Sequence, residues 1–332
     1  MSRVRMLCVA LIFLTGCGGP ELVTIQGPTM GTTYTVKVFA AEVDEGALRE
    51  DIKAELRRLN DLMSTYIEDS ELSRLNQAPV GDWFEVSDET REVLALSREV
   101  YELSDGRFDV TIGHLVNLWG FGPDAADRQI PSEEAIEQAR ERTGFKLLTL
   151  RDNRVRKEAD VYVDLSAIAK GFAADQVARL VESSGGHNYL VEIGGELRAR
   201  GVNDRQRPWR IAIEVPKGIE RSVYRTIELR NLGMATSGDY RNYYEIDGQR
   251  YSHTINPATG RPIAHNLVSV TVLASTAALA DGLSTAINVM GPEEGLALAE
   301  AKNYAVQVII KTDDGFEERT STALDAYVAG PD

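Results

Sequence analysis

Three short stretches of the 332-residue chain combine side chains able to move a proton, hold a cation or meet a phosphate. In Ser252-His253-Thr254-Ile255-Asn256-Pro257-Ala258-Thr259-Gly260-Arg261-Pro262, a histidine stands beside an Asn-Pro turn. Histidine titrates near neutral pH, so on a rigid element at a loop it is placed to act as a general base; capping the turn is its alternative use. In Ala280-Asp281-Gly282-Leu283-Ser284-Thr285, Asp281 and Thr285 are four apart and share one face of a helix. A carboxylate and a hydroxyl there form a pair of oxygen ligands suited to Mg²⁺, although such a pair is also common surface decoration. In Val163-Asp164-Leu165-Ser166-Ala167-Ile168-Ala169-Lys170-Gly171, a strand runs into a helix N-terminus, whose N–H groups favour anions. The helix dipole disfavours Lys170 in that first turn, and an anionic ligand would relieve the conflict. The alternative is an N-capping Asp164 and a solvated Lys170.

Four further clusters interrupt the apolar pattern: Met30-Gly31-Thr32-Thr33-Tyr34, Gly106-Arg107-Phe108-Asp109-Val110-Thr111, Leu190-Val191-Glu192-Ile193-Gly194-Gly195-Glu196 and Ala235-Thr236-Ser237-Gly238-Asp239-Tyr240-Arg241. The adjacent glycines at 194 and 195 permit a close backbone approach by a ligand or strand, or mark a bulge.

The elements that must position these groups follow from periodicity. Leu48, Ile52, Leu56, Leu59 and Met63 recur at helical spacing over 45–63. Further helices are predicted from Ser87 or Asp88 to Leu103, over 132–143, from about Ser166 to Glu182, and over 276–289 and 292–302. Strands are predicted at Thr32–Phe39, Val161–Val163, Tyr189–Ile193, Leu197–Gly201, Arg210–Val215, Leu267–Leu273 and Tyr304–Lys311. Asp247-Gly248 between two β-rich runs is a hairpin signal that puts His253 at the end of the returning strand. Runs of strands joined by tight turns make the fold α+β, with mixed, largely antiparallel sheets flanked by helices.

Composition narrows the chemistry. The chain carries a formal charge of −15, and Arg3 and Arg5 supply +2 within the first sixteen residues, which leaves about −17 from Cys17 onward. That balance argues against nucleic acid as a partner, and any anionic substrate needs local cations or a metal. Both cysteines, Cys8 and Cys17, lie in the first seventeen residues, so a thiolate metal site or a disulfide framework in the body is excluded. Any metal must use oxygens or His114, His187, His253 and His265.

At the N-terminus, a basic start, the apolar run Met6–Leu14 and Leu14-Thr15-Gly16-Cys17 look like an export signal closed by a bacterial lipobox. The expected organisation is a signal peptide over 1–16, a lipid-anchored tether over 17–28 with the lipid on Cys17, and one domain over 29–330. The body would be held on the periplasmic side of the inner membrane, by several acyl chains because one holds only marginally.

Taken in order, the clusters resemble the ApbE family of bacterial lipoproteins, the FAD:protein FMN transferases. The resemblance rests on Met30–Tyr34, Met63–Tyr66 with Ser70–Asn76, Phe108–Thr111, Leu115–Gly122, Val163–Gly171, Glu192–Glu196, Ala235–Asn242, Ser252–Gly260 and Asp281–Thr285, nearly the whole mature chain. It implies transfer of FMN from FAD to a Thr or Ser hydroxyl of an acceptor flavoprotein as a phosphodiester, with release of AMP. Acceptors in the family are membrane redox subunits of quinone-reductase and Rnf type. It further implies flavin contacts from Met30, Tyr66, Phe108, Asp109 and Ile255, with Asp164 and Lys170 in the FAD pocket. Mg²⁺ would be held by the Ala167 carbonyl, Asp281 and Thr285, and His253 would be the base. The same residues would serve an Mg²⁺-dependent FAD pyrophosphatase, and a non-enzymatic FAD-binding lipoprotein is the third reading. The chain departs from the family pattern at His114, Asn256 and Ser284, where Pro, Asp and an acidic or small residue are common.

Overall fold

The computed structural model describes residues 19–124, 128–214, 223–238 and 243–330, so the export segment and Cys17 lie outside the described residues, as does Asp239–Asn242. Its frame is an eight-stranded sheet. In spatial order the strands are Glu21–Thr29, Thr32–Ala40, Tyr189–Ile193, Glu196–Arg200, Gly233–Ser237, Leu267–Ala274, Ala305–Thr312 and Gly315–Thr320. Every neighbouring pair is antiparallel. The α+β class stands. The parallel pairing among the described residues is a single bridge between Ile112 and Tyr162.

Helices Ala169–Ser183 and Ala277–Met290 pack on one face of the sheet, with Glu45–Met63 and Asp88–Leu103 behind them. The helix over 45–63 buries Leu48, Ile52, Leu56, Leu59 and Met63, the stripe its sequence period demands. Leu190, Leu197, Met234 and Leu273 point to the opposite face, where they meet Trp209, Ile213, Ile227, Leu229 and Leu324. With both faces covered, Leu267–Ala274 is buried at every position, its polar residues Ser269 and Thr271 included.

Three expectations are corrected. The segment over 17–28 is not a tether along its length: from Glu21 it is an edge strand, paired residue by residue with Thr32–Ala40. The Gly27-Pro28 pair disguised it, yet an edge strand tolerates proline, and Gly27 is needed because a Cβ there would lie 2.7 Å from the Tyr34 ring. The stretch Val161–Val163 is that lone bridge and not a strand, and the helix expected from Ser166 begins at Ala169 after a turn. The Asp247-Gly248 hairpin forms as read, pairing Tyr243–Ile246 with Gln249–Ser252.

Candidate active site

The site is built where two helices and a strand meet closely. A Cβ at Gly171 would sit 2.4 Å from the Ala277 carbonyl oxygen, and one at Gly233 would sit 2.2 Å from the Ala277 nitrogen. One turn beyond Gly171, buried Asp175 accepts the Ala277 and Ala278 N–H groups at 3.0 and 2.9 Å, capping the Ala277–Met290 helix from a neighbouring element. Thr276 caps the same end by accepting from Leu279 N–H at 3.1 Å. The approach lets Gly171 N–H donate to Asp281 Oδ2 at 3.0 Å. One turn further along, the Thr285 hydroxyl lies 3.1 Å from Ser237 Oγ, which also contacts Ser284 Oγ at 2.7 Å.

Buried charge concentrates at this junction. Lys170 Nζ meets Glu196 Oε1 at 2.5 Å, and Glu196 is only 3% exposed. Its other oxygen, Oε2, is buried with no hydrogen-bond partner. Burial and the charge of Asp281 push the Glu196 carboxyl up to about 8, against the pull of Lys170. Burial likewise raises Asp281, while Lys170 and the Gly171 N–H oppose the shift. Burial draws Lys170 down, but the Asp281 and Glu196 charges outweigh it and raise it overall. The dipole conflict expected at Lys170 is thus met within the protein, by Glu196.

Two carboxyl groups against one ammonium leave the junction suited to a further cation. The Ala167 carbonyl, Asp281 and Thr285 offer hard oxygen donors of the kind Mg²⁺ takes. Among the described residues no group of three or more His, Cys, Asp or Glu side chains is placed to hold a metal. A cation here would therefore depend on this mixed oxygen set, with substrate and water oxygens completing its shell.

Facing the junction stands His253, the first residue after the Gln249–Ser252 strand, its ring edge-on to Phe121 at 6.3 Å. Ile255 is buried beside it. The Asp109 carboxylate accepts from Thr111 N–H and Oγ–H at 2.8 and 2.6 Å and from Phe145 N–H at 3.1 Å, and burial raises its pKa. It builds the loop that presents Phe108. Asp164 accepts from Ser166 N–H and Oγ–H at 2.8 and 2.5 Å and shapes the turn carrying Ala167. Tyr66 is 69% exposed and donates its hydroxyl to the Phe121 carbonyl at 3.3 Å.

These groups line one cavity of about 440 Å³. Tyr66, Phe108, Asp109, Asp164, Ala167, Lys170, His253, Ile255, Asp281 and Thr285 all border it. Met30 does not. It occupies the tight turn between the first two strands, with φ of 46° before Gly31 at 70°, and packs against the main core. A two-residue turn of this type directs its first side chain by backbone twist, which the residue type at position 30 could not reveal.

The cavity also has walls to which no role was assigned: Glu196, Ser237, Phe121 and Arg107. An acid straight after two glycines in an apolar strand was the available signal for Glu196. Of the departures from the family pattern, Asn256 Oδ1 accepts from Ala258 N–H at 2.9 Å and so caps its turn. His114 contacts the Asp160 carbonyl at 2.9 Å, and neither residue borders the cavity.

Comparison with known proteins identifies the family. The model of the ApbE family matches residues 30–310. An FAD:protein FMN transferase of Vibrio cholerae is 48% identical, over 99% of this chain and 100% of its own length. One from Escherichia coli is 40% identical, over 98% and 97%. Among solved structures, the flavin transferase ApbE from Vibrio cholerae superposes with a TM-score of 0.86 at 46% identity, covering 93% of this chain and 99% of that one. The apo Pseudomonas stutzeri flavinyl transferase ApbE gives 0.87 at 41% identity, covering 94% and 98%. With its ordered motifs, its antiparallel frame and a match over most of its length, this chain belongs to the ApbE family.

Proposed function

We propose that the protein is an FAD:protein FMN transferase: it moves FMN from FAD to a Thr or Ser hydroxyl of an acceptor flavoprotein and releases AMP. The observation that carries this reading is the convergence of Ala167, Lys170, His253, Asp281 and Thr285 on one cavity that also has apolar and aromatic walls. The acceptor oxygen forms a bond to the phosphorus bearing the riboflavin, the diphosphate P–O bond breaks, and AMP leaves with the bridging oxygen. His253, on the cavity wall, takes the hydroxyl proton as general base. Phe108 and Ile255 supply apolar surface to the flavin, so affinity does not require a positive field around an acidic protein. Lys170, oriented by Glu196, offers the cavity a fixed positive charge near the diphosphate. Mg²⁺, held by the Ala167 carbonyl, Asp281 and Thr285, would supply charge neutralisation for the phosphates.

We place the protein on the periplasmic side of the inner membrane as a lipoprotein anchored through Cys17, with Rnf-type or quinone-reductase subunits as acceptors. The test is incubation of the protein with FAD, Mg²⁺ and such a subunit. Covalent flavin on the acceptor, found by mass spectrometry, supports transfer. Free FMN without acceptor labelling points to hydrolysis, and unchanged FAD to simple binding. Either of those outcomes overturns the transferase reading.

A further inference from the structure

One turn, Trp119-Gly120-Phe121, grips the His253 segment from both sides. Trp119 is buried and donates its indole N–H to the Gly260 carbonyl at 2.8 Å, on the loop that follows His253. Its ring stacks on Tyr251, two residues before His253, at 5.8 Å and 26°. Tyr251 stacks in turn on Tyr244 across the hairpin at 5.4 Å and 22°, and Tyr244 on Phe121 at 5.2 Å and 26°. Phe121 closes the circuit, meeting the imidazole edge-to-face at 6.3 Å and 68°. All four spacings fall in the 4.5–7 Å range that aromatic pairs prefer. Gly120 holds φ of 80°, which lets the large rings on either side of it leave the turn in the directions needed.

Phe121 also touches the other wall, since its carbonyl accepts the Tyr66 hydroxyl at 3.3 Å while its ring borders the cavity. An imidazole has two distinct nitrogens, and ring orientation decides which one faces a hydroxyl. His253 follows a strand of only four residues, in a two-stranded hairpin set apart from the main sheet. Such a hairpin is marginal alone, so its orientation depends on what packs against it.

We propose that Phe121 is a positioning residue for His253, its ring holding the imidazole in the orientation from which it receives the acceptor proton. The inference rests on the transferase reading and on His253 as its base. It assigns Phe121 no contact with the reacting atoms.

A double-mutant cycle in the full-length protein tests it, with transfer from FAD to an Rnf-type subunit as the assay. Phe121→Ala leaves the backbone carbonyl for Tyr66 and removes only the ring. It is expected to lower kcat about 10-fold while KM for FAD stays within about 2-fold, the pattern of an interaction used in the transition state. Phe121→Tyr, which keeps an edge-to-face partner, is expected to recover the rate to within about 3-fold, and Phe121→Leu serves if the alanine variant does not fold. Introduced into His253→Ala, Phe121→Ala should cost less than about 2-fold more, because the group it orients is gone. Equal losses in both backgrounds, or an unchanged kcat in the single variant, overturn the inference. Undiminished transfer by His253→Ala would instead remove the base itself and the reading beneath it. A slow His253→Ala enzyme with an additive cycle would sink the Phe121 assignment alone.

Discussion

At the scale of residues, the site is defined by charges that the fold buries at some cost. Asp281 lies inside the helix packing, with Gly171 N–H on one oxygen and the other carboxyl of the junction, Glu196, paired to Lys170. Asp281→Asn keeps the volume and an acceptor for Gly171, so it is expected to fold yet lose Mg²⁺-dependent turnover. Matching circular dichroism with undiminished activity would take the residue out of the site. Glu196 carries a pH signature. Its carboxyl rises from 4.5 to about 8 on folding, so the native state keeps a proton that the unfolded chain has released. Stability from this group is complete below about pH 4.5 and declines as pH climbs toward about 8, because the folded state binds more protons across that window. In metal-free protein, thermal melts of Glu196→Gln should therefore fall less steeply with pH than those of the unmodified chain. Parallel curves would show that Glu196 titrates in the ordinary carboxylate range.

At the scale of elements, the decisive contact is between the helices Ala169–Ser183 and Ala277–Met290. Gly171 and Asp175, one turn apart, supply respectively the missing side chain that permits the approach and the carboxylate that caps the partner helix. Gly171→Ala would put a methyl 2.4 Å from the Ala277 carbonyl oxygen, where backbone and not a flexible side chain must yield. Overpacking of this kind costs about 1–3 kcal/mol. It should also draw the Gly171 N–H off Asp281, so denaturant melts and Mg²⁺ dependence are expected to suffer together. A stability change under about 0.5 kcal/mol would mean that the helices part freely at this point.

At the scale of the whole molecule, the net charge of −15 means that an anionic substrate needs a local cation. From Glu21 the chain is already a strand of the main sheet, so an anchor on Cys17 would hold the body with a short span of residues outside it. Mass spectrometry of the protein made in bacteria should find Cys17 as the first residue, carrying acyl chains. A mature chain beginning elsewhere, or a bare Cys17, would refute the lipid anchor.

Much of this was legible in the residues themselves. Helical stripes, the Asp-Gly hairpin and the i, i+4 pairing of Asp281 with Thr285 are local, set by backbone period and turn chemistry, and neighbours in sequence suffice to express them. Ten of the eleven site residues expected within the described residues border the cavity: eight lie in loops or at element ends, and Asp281 and Thr285 share one face of the Ala277–Met290 helix. The edge strand Glu21–Thr29 was hidden because pairing with Thr32–Ala40, not its own alternation, makes it a strand. The pairing of Lys170 with Glu196, the aromatic circuit from Trp119 to His253 and the exclusion of Met30 depend on residues distant in sequence or on the twist of a turn. Burial that perturbs a carboxyl, and contact that orients an imidazole, come into being only when separate elements pack. The chain order thus determined which groups are available, and the tertiary structure alone decided which of them share a dielectric and a wall.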